Sequence, residues 1–358
     1  MGWSGAPPHG VACGGGLSFA RITGRIRLRR KTLVSFVIAL AGLLIGQAAE
    51  AAAARRLDHV FVLVLENRGF DDAILNGPTP FLRELADRAG LATQYFGVAH
   101  PSLPNYLALV GGDTFGIRDN RPSCFASDLV AGAACNRIDG DSLAEQLTAA
   151  GLTHAVYAES LPAPGAMVAA APSRAEPLYA QKHNPFPFFA PFAQNAEARA
   201  RMKPLEAFAE DLERDPPNFA LIVPNQCHDG HGLETCRDLD QLARDYDAMA
   251  RDIYARIRAS KAWSARAVFV VTFDEGARPR YPNPPSEFAR RAAGADNHVA
   301  TLVATPCGGS VQEPARFDHY ALLATIEDGF ALPRLRKAAS APTMDTLFFP
   351  DCGGPARR

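Results

Sequence analysis

The sequence predicts an α/β fold in which a central, mostly parallel β-sheet carries helices on both faces. Short apolar runs rich in β-branched residues recur along the chain, as expected for strands that are buried on both faces. Segments with apolar residues at helical spacing lie between these runs, and such alternation is typical of this fold class. No internal repeat or dividing linker is present, so we expect one domain over residues 52–358.

Five apolar runs are predicted as strands of the parallel sheet. They are residues 59–65, 154–158, 218–223, 267–273 and 299–304. Helices are predicted at 81–89, at 142–150, where Gly151 ends the helix, and at 239–260, where apolar residues recur every three or four positions. Residues 161–198 have no clean period and are expected to form a long loop or small cap, which in a compact domain often serves function.

Residues 1–51 are predicted to be a signal peptide with an N-terminal extension. A basic stretch at 27–31 precedes an apolar run at 33–46, and small residues follow at 48–54. The apolar run is shorter than the roughly 20 residues that span a bilayer, although an uncleaved anchor is the alternative. We therefore expect a secreted or periplasmic protein that has no stable membrane span in its mature form.

The charge of the remaining chain argues against nucleic-acid binding. Residues 1–51 hold six of the 37 Lys and Arg residues and one of the 38 Asp and Glu residues, which leaves a net charge of −6 on the rest. Binding to a phosphate backbone depends on a surplus of Lys and Arg. We expect no nucleic-acid partner.

Six cysteines lie outside the N-terminal segment, and an even number in an exported protein suggests disulfide bonds. Pairing of sequence neighbours predicts Cys124–Cys135, Cys227–Cys236 and Cys307–Cys352. A zinc site is the alternative, but the chain contains no Cys-x-x-Cys pair.

Acidic, amide and imidazole side chains follow the predicted strands. After the first four strands in order, they are Glu66 and Asn67; Glu159; Asn225, His228, Asp229 and His231; and Asp274 and Glu275. In open α/β sheets, ligands bind outside the carboxyl ends of the strands, so we expect these groups to converge at one edge. The alternative is that polar residues simply begin where strands end.

The convergent carboxylates predict a metal site. Such groups repel one another, and they hold protons in a desolvated cleft unless a cation neutralises them. Glu66, Asp274 and Glu275, with the amide oxygen of Asn67, form an oxygen-rich set that suits Mg²⁺, Ca²⁺ or Mn²⁺. Nearby imidazoles leave Zn²⁺ open.

Ser102 is the candidate nucleophile. It opens a predicted helix, whose N-terminus offers N–H groups and a positive dipole end to a phosphate. A serine hydroxyl needs a base or a metal to activate it. Asn105, three positions later, is placed to donate its amide to a phosphate oxygen. Taken alone, Ser102 is better interpreted as a helix N-cap than as a nucleophile.

Several histidines are further candidates for the site. They are His183, His228, His231, His298 and His319, with His100 as a residue that orients the loop before Ser102. An isolated histidine more often belongs to the surface or the core than to a site. His298 is the stronger candidate for substrate binding because it immediately precedes the fifth predicted strand.

The sequence resembles a bacterial phosphoesterase family that holds secreted acid phosphatases and non-haemolytic phospholipases C. Glu66-Asn67-Arg68-Gly69-Phe70 resembles its Glu-Asn-Arg-Ser-Phe motif. Ser102-Leu103-Pro104-Asn105 is similar to its nucleophile motif, which is Ser or Thr, any residue, Pro and Asn. Further blocks match in order at 182–186, 224–231, 272–276 and 318–330.

The resemblance implies an alkaline-phosphatase-like fold and a phosphoserine intermediate at Ser102. It implies a metal held by Glu66, Asn67, Asp274 and Glu275, with Asn105, His183 and His298 on the substrate side. His231 or His228 is expected to protonate the leaving group. Two-metal relatives carry Asp and then His four positions later near residue 225, whereas this chain has Asn225 and Asp229, so we expect one divalent ion.

These observations predict an exported, metal-dependent acid phosphatase that acts on phosphomonoesters. A phospholipid or phosphoinositide head group is a candidate substrate. A phospholipase C or other phosphodiesterase is the alternative, although phospholipase relatives carry C-terminal additions. A non-catalytic envelope-binding protein is the alternative of another class, and the complete set of Ser102, Asn105, Glu66, Asp274 and Glu275 argues against it.

Overall fold

A mostly parallel sheet lies at the centre of the computed structural model, which describes residues 56–277 and 297–350. In chain order its strands are β1 (His59–Leu65), β2 (Gly90–Phe96), β3 (His154–Ala158), β6 (Met202–Pro204), β7 (Phe219–Val223), β8 (Ala267–Phe273), β9 (His298–Ala304) and β10 (Val311–Asp318), while β4 (Ala170–Ala171) and β5 (Tyr179–Ala180) form a separate antiparallel pair. The spatial order is β10-β2-β9-β8-β1-β7-β3-β6. This confirms the predicted fold class.

The sheet is parallel except around β9. β8, β1, β7, β3 and β6 pair in parallel in that order, and β10 pairs in parallel with β2. β9 runs antiparallel to both of its neighbours, β8 and β2. The prediction of 299–304 as a parallel strand is therefore wrong in direction, because a run buried on both faces carries no sign of which way it points.

The predicted strand positions agree closely with the structure. The bounds of β1, β3 and β8 are as predicted, and β7 and β9 differ by one residue at the start. β2, β6 and β10 are additional strands. β10 is largely exposed and has an irregular register between Glu313 and Arg316, so it lacks the continuous apolar run on which the prediction relied.

The α-helices of the described residues are α1 (Pro80–Arg88), α2 (Ser102–Gly111), α3 (Leu143–Ala149), α4 (Ala190–Gln194), α5 (Ala196–Arg199), α6 (Phe208–Arg214), α7 (Leu239–Ala259), α8 (His319–Gly329) and α9 (Asp345–Phe348). A π-helix spans Asp71–Asn76, and 3₁₀ turns span Gln181–His183, Phe186–Phe188, Leu205–Ala207 and Arg336–Ser340. The three predicted helices are confirmed as α1, α3 and α7.

Local hydrogen bonds explain where these helices begin. Ser142 and Glu145 form a reciprocal capping box at α3, and the Asp238 carboxylate accepts from the backbone N–H of Gln241 at α7. α1 is capped from a distance, since Asp247 of α7 accepts from the N–H groups of Phe81 and Leu82. α1 packs with α7, while α2 packs with α8, so the helices form separate layers beside the sheet.

Two of the predicted disulfides, Cys124–Cys135 and Cys227–Cys236, lie wholly within the described residues and are confirmed. Cys352 of the third predicted pair lies outside the described residues, as does the predicted signal peptide. Within the described ranges, no helix has the length and apolar character that a membrane crossing requires.

Candidate functional site

Ser102 is the first residue of α2, and its hydroxyl points towards the end of β1. The residue is 1% exposed, and Oγ donates to Oε2 of Glu66 at 3.0 Å. The N-cap position of α2 is occupied by Pro101, whose side chain makes no capping hydrogen bond. The interpretation of Ser102 as an N-cap is therefore wrong, because its hydroxyl serves the carboxylate at the sheet edge.

Glu66 follows β1 directly, and its carboxylate is fully buried. Oε1 accepts from the hydroxyl of Tyr106 at 2.8 Å, on the side away from Ser102. Burial alone would raise the pKa of Glu66, but the charge of His183 outweighs burial and lowers the pKa to about 2. Glu66 is therefore an ionised carboxylate inside the protein.

The ring of His183 lies between two buried carboxylates. Its Nε2 is 3.1 Å from Oε1 of Glu66, and its Nδ1 is 3.2 Å from Oδ2 of Asp229. Tyr106 stacks on the ring, with centroids 5.6 Å apart and an interplanar angle of 18°. Burial would lower the pKa of His183, but the charge of Glu66 raises it overall. The predicted loop 161–198 thus delivers a functional side chain.

Asp229 is a site residue to which the sequence analysis gave no role. It is 1% exposed, and its backbone C=O accepts from the N–H of Glu66 at 2.8 Å, which joins the end of β1 to the segment after β7. The signal was its place in the block 224–231, but nothing in the sequence pairs it with His183, which lies 46 residues earlier.

His231 approaches the same group with one ring nitrogen. Its Nδ1 is 2.8 Å from the carbonyl oxygen of Gly232, which only accepts, so Nδ1 carries the proton. Its Nε2 therefore has a lone pair, which accepts from Nζ of Lys182 at 2.8 Å. Burial, followed by the charge of Lys182, lowers the pKa of His231. Lys182 was also missed, although it precedes His183 in a matching block.

Asp274 and Glu275 follow β8, the neighbour of β1. Oδ1 of Asp274 accepts from the backbone N–H of Asn67 at 3.2 Å. Burial, and then the charges of Glu66 and Glu275, raise the pKa of Asp274 well above its ordinary value. Glu275 accepts from Nδ1 of His100 at 2.7 Å, so the loop before Ser102 is tied to the end of β8.

The donor atoms around Ser102 fit a cation. Oδ2 of Asp274 is buried and has no hydrogen-bond partner among the described residues, and the carboxylates beside it repel the charge that it would carry when ionised. A divalent ion relieves both penalties. One of the oxygen donors predicted for the metal, Oδ2 of Asp274, therefore still lacks a partner in the described part of the structure.

A second set of donors is more compact. Within the described residues, one group of three His, Cys, Asp or Glu side chains brings its ligand atoms within 4.8 Å of one another, and it consists of Glu66, His183 and His231. The predicted set of Glu66, Asp274 and Glu275 does not meet that distance. Two histidines expected to contact the substrate or move a proton thus lie beside the predicted metal ligand Glu66.

Asn105 serves its own loop. Its Oδ1 accepts from the N–H groups of Val98 and Ala99 at 2.8 and 3.0 Å, and its Nδ2 donates to the carbonyl oxygens of Ala99 and Pro101 at 2.9 and 3.3 Å. The amide N–H groups expected to bind phosphate are therefore already engaged. The side chain holds the turn that precedes the nucleophile.

The remaining predicted histidines have other surroundings. The ring of His298 is stacked between Phe70 and Phe96, and its Nε2 is 3.0 Å from the carbonyl oxygen of Thr93. His228 is partly exposed, and its Nδ1 is 2.7 Å from Oε1 of Glu159. Neither belongs to the compact group of donors, and His298 is held as a structural ring would be.

His319 is fully buried behind the site. Its Nε2 donates to the backbone carbonyl of Asp274 at 2.6 Å, and its Nδ1 is 3.0 Å from the hydroxyl of Tyr95. Its role is to hold the end of β8 from α8.

Two known phosphatases are similar to this chain in sequence. Among curated proteins, a phosphatidylinositol-3-phosphatase of Mycobacterium tuberculosis is 29% identical over 303 residues, covering 83% of this chain and 85% of that protein. A probable acid phosphatase of Kluyveromyces lactis is 27% identical over 296 residues, covering 80% of this chain and 60% of that protein. The match therefore spans less than two thirds of the yeast relative.

Solved structures share the fold at low sequence identity. A protein in the alkaline phosphatase superfamily from Vibrio parahaemolyticus superposes with a TM-score of 0.51 at 12% identity, covering 82% of this chain and 72% of that chain. The PsFucS1 sulfatase from a Pseudoalteromonas species gives the same TM-score at 13% identity, covering 85% and 75%. These likenesses show an alkaline-phosphatase-like fold.

The sequence also matches the model of a protein family. The match covers residues 75–333, which include Ser102, the block 224–231 and the carboxylates after β8. The chain belongs to the phosphoesterase family.

Proposed function

We propose that this protein is an exported, metal-dependent phosphatase that hydrolyses phosphomonoesters through a phosphoserine at Ser102. The observation that carries the proposal is the hydrogen bond from the Ser102 hydroxyl to Glu66. The Ser102 hydroxyl is buried and hydrogen-bonded to a carboxylate, and Oδ2 of Asp274, unpartnered among the described residues, belongs to the same set of oxygen donors. This arrangement favours a catalytic role for Ser102 over a capping role. Family membership and the two named phosphatase relatives support the same reaction class.

The nucleophile is positioned by three connections. The Ser102 hydroxyl donates a hydrogen bond to Glu66, which orients a lone pair of Oγ towards the phosphorus atom. Asn105 fixes the turn before Ser102, and the His100–Glu275 contact ties that turn to β8. Attack by Oγ forms the P–O bond of phosphoserine and breaks the bond to the leaving alcohol, and water then hydrolyses the phosphoserine.

Glu66, Asn67, Asp274 and Glu275 are the proposed ligands of a divalent cation. The ion supplies positive charge that stabilises the charge developing on the phosphoryl oxygens. The buried Oδ2 of Asp274 supports this assignment, because it needs a partner. Mg²⁺, Ca²⁺, Mn²⁺ and Zn²⁺ all accept such donors.

His228 is the proposed proton donor to the leaving alcohol. The hydrogen bond to Glu159, with burial opposing it, raises the pKa of His228, which favours the protonated ring that a proton donor needs. His231, the other candidate, has its Nδ1–H on a carbonyl and its Nε2 on Lys182. We therefore prefer His228 and assign His231 to binding.

The substrate is proposed to be a phosphomonoester, and a phosphoinositide head group is a specific candidate. A curated relative matched over most of both chains is named for a phosphatidylinositol 3-phosphate substrate. Phosphodiester cleavage of the phospholipase C type is the competing reaction. Export is supported by two disulfides, which persist in oxidising compartments.

The decisive experiment compares hydrolysis of a chromogenic phosphomonoester by the wild type and by Ser102→Ala, with and without chelator. We expect the variant to lose at least about 10³-fold in kcat/KM, as removal of a covalent nucleophile does. Ser127→Ala is the matched control, because it removes an exposed hydroxyl whose partner is the backbone carbonyl of Met167 and none of the proposed site residues. Full activity of Ser102→Ala would exclude the proposed nucleophile.

A second assay compares the phosphomonoester with a phosphodiester and with soluble phosphatidylinositol 3-phosphate. Faster release of phosphate from the monoesters supports the phosphatase assignment. Preferential cleavage of the diester would instead establish the phospholipase alternative. Absence of hydrolysis with every substrate and every divalent ion would favour a binding protein.

A further inference from the structure

We infer that Glu66, His183 and His231 form a second cation site, selective for a nitrogen-preferring divalent ion such as Zn²⁺. This site shares Glu66 with the oxygen-rich set proposed above and differs from it in the two imidazoles, one of which is in contact with Lys182. The three ligand atoms lie within 4.8 Å of one another and are largely buried. The sequence predicted a single ion, so this inference changes the expected number.

The two imidazoles are oriented as metal ligands are. In each ring Nδ1 faces an oxygen, namely Oδ2 of Asp229 for His183 and the carbonyl of Gly232 for His231. This leaves Nε2 of both rings on the side of Glu66. Histidine ligands generally direct the other ring nitrogen to a carboxylate or carbonyl, which fixes the ring and raises its basicity. Stacking on Tyr106 restricts His183 further.

The inner nitrogen of this group is unsatisfied. The side chain of His183 is 1% exposed. Its Nε2 lies 3.1 Å from Oε1 of Glu66, yet it makes no hydrogen bond of acceptable geometry to any described residue. A buried nitrogen that meets a carboxylate at this distance without a proper hydrogen bond lacks its partner. A cation between the two atoms supplies it.

Lys182 holds the place of that cation. Its ammonium lies 2.8 Å from Nε2 of His231, and its charge acts on Glu66. The Nε2 lone pair accepts one partner at a time, so a metal and the lysine compete for it. Metal binding therefore releases a positively charged side chain near Glu66, the partner of Ser102, where it is available to a phosphate.

The two carboxylate oxygens of Glu66 face different sites. Oε2 accepts from Ser102, whereas Oε1 faces Tyr106 and His183. One carboxylate then serves both sides. Imidazole donors favour Zn²⁺ over Mg²⁺ and Ca²⁺, which require oxygen ligands, so the two sites differ in preference.

The test counts metal ions in the purified full chain and needs no substrate. Protein stripped with chelator is dialysed against Zn²⁺, and bound zinc is measured by mass spectrometry for wild type, His231→Gln and His59→Gln. His59 opens β1 and contacts the carbonyl of Pro217, so it controls for loss of an imidazole. We expect His231→Gln to bind one zinc ion fewer than wild type and His59→Gln, whether or not the oxygen-rich set also takes zinc.

Lys182→Met gives a second measurement with the opposite sign. Removal of the competing cation should tighten Zn²⁺ binding roughly tenfold or more, since a unit charge is removed at contact distance. The visible spectrum of Co²⁺-loaded protein should also appear at lower cobalt concentration. A structural lysine would instead leave zinc affinity unchanged or weaken it.

The inference is overturned by equal zinc counts in wild type and His231→Gln, or by unchanged zinc affinity in Lys182→Met. Circular dichroism shows whether a variant has folded, and Lys182→Met tests the site even if His231→Gln fails to fold. Because the readout is bound metal, the proposed hydrolysis can fail while this site stands.

Discussion

Asn105 is the residue whose assigned role changes most between sequence and structure. The motif places it beside a nucleophile and predicts contact with phosphate, yet all four of its side-chain hydrogen bonds hold the turn at 98–101. The sequence records that an amide is required but not whether it faces substrate or backbone. The distinction has a kinetic signature.

We expect Asn105→Ala to lower kcat by about 10²-fold while the inhibition constant for inorganic phosphate changes little, because a misplaced Ser102 slows attack without removing a phosphate contact. Steady-state kinetics with phosphate as inhibitor checks this. A matching rise in the inhibition constant would return Asn105 to the substrate side.

At the scale of single residues, the sequence located the chemistry but not its pairing. Ser102, Glu66 and Asp274 were found because each stands at a strand end or helix start, which chain order reveals. Asp229 and Lys182 were missed because their partners, His183 and His231, come from distant segments that only the folded sheet edge brings together.

Among the elements, β9 was predicted at the right position in the sequence but with the wrong strand direction. His298 was expected before a parallel strand, which would have put it at the opposite edge of the sheet from Ser102. Because β9 is antiparallel to β8, its first residue returns to the edge where the parallel strands end. There its ring packs between Phe70 and Phe96 rather than in the group of donors.

The two disulfides form a natural comparison between elements. They close loops of similar length, with sequence separations of 11 and 9, so each should stabilise the fold by about 3 kcal/mol. We expect Cys124→Ser/Cys135→Ser and Cys227→Ser/Cys236→Ser to lower the unfolding temperature by similar amounts.

Their effects on activity should differ. Cys227–Cys236 closes the segment that carries His228 and His231, whereas Cys124–Cys135 lies in a loop that supplies none of the proposed ligands. Phosphatase assays of both double variants below their unfolding temperatures check this. Equal activity losses would show that the Cys227–Cys236 bond does not position the site.

Over the whole molecule, the sheet and principal helices followed from apolar patterning, since burial on both faces leaves a clear run of residues. The exposed β10 and the short β6 did not, because edge strands carry mixed residues. The fold class was thus accessible from sequence, while the direction of β9 depended on pairing between strands.

Acid stability of the whole fold should depend on His154. This buried side chain packs near Phe186 and Phe192, and neither ring nitrogen has a hydrogen-bond partner in the described part of the chain. Burial lowers the pKa of His154 from 6.5 to about 4. The unfolded chain then binds the proton first, so the contribution is full above pH 6.5 and is lost as the pH falls towards 4.

We expect His154→Leu to remove that dependence. The difference in the free energy of unfolding between wild type and variant should shift by about 3 kcal/mol in favour of the variant from pH 7 to pH 4. Urea titrations at the two pH values measure it. A parallel loss of stability in both proteins would show that His154 does not limit acid tolerance.

The contact of Lys182 with His231 bears on how the enzyme matures. The carboxylates of Glu66 and Asp229 lie 3.1 and 3.2 Å from the ring nitrogens of His183, and the charge of Glu66 raises the pKa of that ring, so the ring offers the buried carboxylates a partner that does not depend on metal. Zinc fingers, by contrast, remain unfolded without their ion. With the proposed sites, we expect the chain to fold first and acquire metal afterwards, so that metal supply sets the fraction of metal-loaded molecules rather than the fraction of folded molecules.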